Sequence, residues 1–77
     1  MNRSTIKKQM EELIEENIEL DKPEHAEYRD QMQRENNRFI AAFTYVLENA
    51  TDEDIRICQL ALPGRVSVLR WAEKRMK

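Results

Sequence analysis

Arg65, Arg70, Trp71, Lys74 and Arg75, followed by Lys77, make up the densest group of side chains in this sequence that could engage a ligand. Clustered cations attract phosphates, and an indole can stack on a nucleobase or anchor a protein contact. The two short segments either side of Leu62-Pro63-Gly64 have the layout of a helix-turn-helix. Only Arg65 and Arg70, however, stand near the beginning of the second segment as side chains able to read base edges. The same cations also have a plainer account: Lys and Arg near a helix C-terminus complement the dipole there, with Trp71 tucked against the preceding helix.

A second group is acidic. Residues 11–30 hold nine carboxylates against Lys22 and Arg29, a local charge of −7, whereas residues 65–77 hold five cations against Glu73, a local charge of +4. The net charge of −2 therefore conceals two distinct surfaces, which could meet when two copies associate. A carboxylate-rich helix face is ordinarily just solvated, and the run lacks the Gly-containing Asp-rich loop of a calcium site.

Catalytic groups are scarce. His25 and Cys58 are single, and a cysteine in a short apolar helix is ordinarily inert packing. A zinc site needs more ligands of this kind than the chain has, and Gly64 as sole glycine excludes a Gly-rich phosphate loop. The expectation is no catalytic residue, no metal and no cofactor. His25 is expected to face solvent near a bend, with Glu24 and Asp21 favouring its protonated form.

The elements that must position these groups read as helices throughout. Ser4 or Thr5 can cap a first helix to about Leu20, with Ile6, Met10, Leu13, Ile14, Ile18 and Leu20 on one face and glutamates opposite. Ile6, Met10, Leu13, Asn17 and Leu20 follow heptad spacing, so Asn17 sits mid-seam and needs a polar partner or an edge position. Asp21-Lys22-Pro23 then reads as the bend of an antiparallel hairpin.

The second helix is expected to run from Pro23 to Ala50, with Tyr28, Met32, Phe39, Phe43, Val46 and Ala50 on one stripe. At 1.5 Å per residue it would be about 39 Å long, beyond what a compact body of this chain length spans. Thr51 with Asp52, Glu53 and Asp54 starts a third helix, apolar almost all round and expected beneath Phe39, Phe43 and Val46. Pro63-Gly64 stops it. A final helix from about Arg65 to Met76 carries Val68, Leu69, Ala72 and Met76 on one face, with Trp71 projecting away from it.

The fold class is thus all-α: an antiparallel helical hairpin with a long central helix plus two short C-terminal helices, one domain over residues 1–77, paired as a dimer. A lone Cys58, no apolar leader in residues 1–10 and no membrane-length segment set a cytoplasmic expectation with no membrane partner. The expected function is a small protein–protein interaction module, a regulator or inhibitor that occupies a partner's surface. Its partners would be a second copy, through Leu13, Asn17, Met32, Phe39 and Phe43, and another protein. Nucleic-acid binding through the basic C-terminal segment is the alternative. A third reading is an oligomer that binds an anionic, nucleotide-like ligand beside Trp71.

Overall fold

The computed structural model describes residues 1–61 and 64–76. The expected apolar position at Leu62, the stop at Pro63 and the cation Lys77 lie outside the described residues. The rest is all-helical: α1 spans Arg3–Leu20, a 3-10 turn spans Pro23–His25, α2 spans Arg29–Asn49, α3 spans Asp52–Ala61 and α4 spans Arg65–Arg75.

The cap of α1 lies two residues ahead of Ser4, the earlier of its two expected positions. The Asn2 carboxamide oxygen accepts from the Thr5 backbone N–H at 2.9 Å and from its hydroxyl at 3.0 Å, so Asn2 is the cap and Thr5 donates to it. Ile6, Leu13 and Leu20, spaced by seven, are the residues α1 buries. Ile14 and Ile18, expected on the same face, lie at its edge and are exposed.

The long helix does not begin at Pro23. Lys22 is extended, as the residue before proline prefers, and the chain then makes successive tight bonds: His25 N–H to Lys22 O, Ala26 N–H to Pro23 O, and Tyr28 N–H to His25 O. Tyr28, at φ −119° and ψ 0°, leaves the helical region, and α2 takes over at Arg29. Residues 21–28, rather than three, make the reversal. At 1.5 Å per residue α2 is about 31 Å long.

Contacts then run in opposite senses along α1 and α2. Arg3 bonds the Leu47 and Ala50 carbonyls, the Thr44 hydroxyl meets the Met10 sulfur, Asn17 bonds Asn37, and Gln33 bonds Asp21. The body is drawn out to match, 42 × 24 × 20 Å with a radius of gyration of 13.4 Å. The rod therefore finds cover inside its own chain, and its length alone no longer calls for a companion copy.

The element that covers the aromatic end of α2 is α4, not α3. Val68 and Ala72 are wholly buried and Leu69 nearly so, in one core with Ile6, Leu13, Ala42, Phe43 and Val46. A bidentate Arg38–Glu73 pair, at 2.6 and 2.7 Å, fastens α4 across α2. Helix α3 sits at the end of the body, against α4 and the beginning of α1. Its cap is reciprocal: Thr51 Oγ1 accepts from the Asp54 N–H at 3.1 Å and Asp54 Oδ2 accepts from the Thr51 N–H at 2.9 Å. Among the described side chains of α3 only Ile55 is fully drawn into the core, which leaves Ile57 and Leu60 outside.

Gln59 joins three parts of this end. Its carbonyl oxygen accepts from the N-terminal ammonium at 3.3 Å and from the Gly64 N–H at 3.1 Å, and its amide donates to Ser67 Oγ at 2.9 Å. Gly64 enters α4 at φ 93° and ψ −169°, a conformation that essentially only glycine adopts without strain.

Candidate interaction surfaces

The basic C-terminal residues divide into engaged and disengaged cations. Arg75 lies over the Trp71 ring, 3.9 Å from its centroid, and donates to the Trp71 carbonyl at 3.0 Å. Trp71 also meets Tyr45 of α2, with ring centroids 6.1 Å apart. The indole is half-buried beside them instead of projecting free. Arg65 lies over Phe39, 4.7 Å from the ring centroid. Arg70 and Lys74, one turn apart on α4, are exposed and hold no ion pair among the described residues. Val66, one turn before Arg70, is 41% exposed and completes a stripe with them.

The residues expected to meet a second copy are used differently. Phe43 has no exposed surface and Leu13 has 6%, both spent on the chain's own core. Met32 and Phe39 are half-buried, and Phe39 packs against Phe43 and Arg65. Asn17 finds its polar partners at home: it donates to Asn37 Oδ1 at 2.9 Å and accepts from Asn36 Nδ2 at 3.0 Å. The Asn17 carbonyl accepts from Gln33 at 2.9 Å. Asn36 is the buried member of this ladder, at 8% exposure.

Two exposed apolar pairs remain. Ile14 and Ile18 stand one turn apart on α1, 42% and 68% exposed, among Glu11, Glu12 and Glu15. Ile57 and Leu60 stand together on the outer side of α3, 52% and 75% exposed. Leu60 of the second pair lines an open cleft of about 430 Å³ between α1 and α3, together with Met1, Arg3 and Arg56. Periodicity placed all four with the core, and only the packing of the helices shows them left over.

His25 and Cys58 do not meet. His25 follows the C-terminal end of α1, whereas Cys58 belongs to α3, which touches the other end, and its thiol donates to the Ile55 carbonyl at 3.2 Å. The His25 side chain is mostly covered, at 22% exposure, between Glu19 and Glu24 instead of Asp21. Asp21 is taken up by Gln33.

Three carboxylates are held below their usual range. Glu73 is lowered by its hydrogen bonds to Arg38, Asp54 by the Thr51 N–H and then its hydroxyl, and Glu19 chiefly by Lys22 with a smaller contribution from His25. No helix among the described residues is long and apolar enough to cross a membrane. No protein-family model matches this chain, and no curated protein or solved structure matches it.

Proposed function

We propose that this chain is a small helical interaction protein, not a catalyst, and that the first partner it takes is a second copy of itself. The α1–α2 hairpin is the frame that presents the contact. The observation that carries the reading is the exposed pair Ile14 and Ile18, set among carboxylates on α1, together with the Val66–Arg70–Lys74 stripe on α4. Apolar side chains meet apolar ones and charges of opposite sign face each other when α1 of one copy lies against α4 of the other. Burial at about 25 cal/mol per Å² makes even a few hundred Å² of such surface comparable with the stability of a small domain. Charge attraction between exposed groups weakens with ionic strength, so the pairing is salt-sensitive.

Molar mass by light scattering at low and high salt tests this. Two-copy mass at low salt, falling toward one-copy mass at high salt, is the expected result. Arg70→Glu with Lys74→Glu gives one-copy mass throughout. One-copy mass for the unaltered chain at low salt and high protein concentration overturns the reading.

Unpaired Arg70 and Lys74 also support a second reading, binding of nucleic acid or another polyanion. It has less in its favour, because Trp71 is half-buried and Arg75 already lies over its ring, so a base stacks on that face only after Arg75 moves. Absence of any mobility shift with nucleic acid at low salt ends it.

A further inference from the structure

We propose that the turn between α1 and α2 binds a divalent transition-metal ion through Glu19, Glu24 and His25. The site is independent of the pairing surface above. Ligand atoms from these three side chains all lie within 4.8 Å of one another. His25 Nε2 is 3.8 Å from Glu19 Oε1 and 3.5 Å from Glu24 Oε1. Nitrogen and oxygen ligands at roughly 2.0–2.2 Å around a tetrahedral ion are separated by roughly 3.4 Å. His25 Nε2 thus already stands at nearly the required distance from each carboxylate, and the two carboxylates, within 4.8 Å of each other, have only to draw together around the ion.

The neighbours of the three ligands favour the same arrangement. Tyr28 Oη bonds His25 Nδ1, which fixes the ring and turns Nε2 toward the carboxylates, the outer-shell support that metal-bound imidazoles typically have. Lys22 pairs with Glu19 Oε2 at 2.9 Å and leaves Oε1 to face the histidine. The group stands just beyond the C-terminal end of α1, whose last turn carries no basic residue, so the negative end of the helix dipole favours a cation there. The surrounding −7 of residues 11–30 acts in the same direction.

An imidazole with two carboxylates suits zinc and its neighbours better than magnesium or calcium, which prefer all-oxygen sets. Too few His and Cys for a closed zinc site is no obstacle to an open one, in which water completes the coordination.

Calorimetric titration of the full chain with Zn²⁺ at neutral pH tests the site. One equivalent binds, an excess of Mg²⁺ does not displace it, and His25→Ala weakens it at least tenfold. Glu19→Gln weakens it similarly and Tyr28→Phe by a smaller factor, while Glu12→Gln, about two turns earlier on α1, leaves it unchanged. Circular dichroism identical to that of the parent shows that the variants fold. The proposal is overturned if no Zn²⁺ binds, if Mg²⁺ competes equally, or if His25→Ala binds as tightly as the parent. The last two results would mean that the carboxylates only gather cations and that His25 is merely their ion-pair partner.

Discussion

The Arg3 guanidinium donates to the Ala50 carbonyl across 2.6 Å and to the Leu47 carbonyl across 2.8 Å, so the first turn of α1 closes the last turn of α2. The same side chain reaches Asp52 at 3.3 Å, where α3 begins. Helix C-termini leave carbonyls without partners, and here a planar fork from a distant helix satisfies two of them.

Arg3→Ala is therefore expected to destabilise the fold by about 1–2 kcal/mol, the range for partly exposed hydrogen bonds to a charged donor. For a chain of this size that lowers the thermal midpoint by roughly 5–15 °C. Arg3→Lys keeps the charge without the fork and recovers only part of the loss, and a thermal melt of both variants distinguishes geometry from charge.

Phe43 is the largest fully buried side chain, and removing its ring opens a cavity where α1, α2 and α4 meet. Phe43→Ala should cost about 3–5 kcal/mol, a large share of the total for a domain of this length. Urea titration followed by circular dichroism measures it.

The Asn17–Asn36–Asn37 ladder predicts non-additive behaviour. Asn17→Ala removes one of the two acceptors of the buried Asn36 amide, leaving Glu16 Oε1 at 3.2 Å, and costs about 1 kcal/mol, whereas the Asn17→Ala, Asn36→Ala double variant loses less than the two single changes together. A double-mutant cycle in urea that returns strict additivity contradicts the assignment.

Stability should fall on acidification below the ordinary carboxylate range. Glu73 and Asp54 have folded-state values below their unfolded ones. Their contribution is fully present above the unfolded values, near 4, and is lost as pH falls through the lowered folded ones. Thermal midpoints between pH 2 and 7 should decline at the acid end, and Glu73→Gln and Asp54→Asn should each flatten the decline.

Local signals read well in this chain because they depend on few residues. Thr51 with Asp54 announced a helix start, the seven-residue spacing of Ile6, Leu13 and Leu20 announced a buried stripe, and Asn17 announced a need for polar company. What periodicity could not supply was which helix covers which. Helix α3 is apolar nearly all round, so its pattern names no preferred face, and the narrower stripe of Val68, Leu69 and Ala72 took the place expected for it. Pro23 does not mark the start of α2, because proline is as acceptable at a 3-10 turn as in the first turn of an α-helix. The cation cluster was visible in the sequence. Which cations stay available was not, since Arg75 over Trp71 depends on packing that brings Tyr45 alongside. The convergence of Glu19 on His25 likewise needed the tight turn to bring them together.

The fork from Arg3 spans 47 positions of sequence to reach Ala50. During synthesis, the leading helix is complete long before its fastening point exists, and the lagging junction must arrive before the two can be clamped. A chain truncated ahead of that junction would therefore have helices but no latch, and proteases would find its early segments open until the remainder is made.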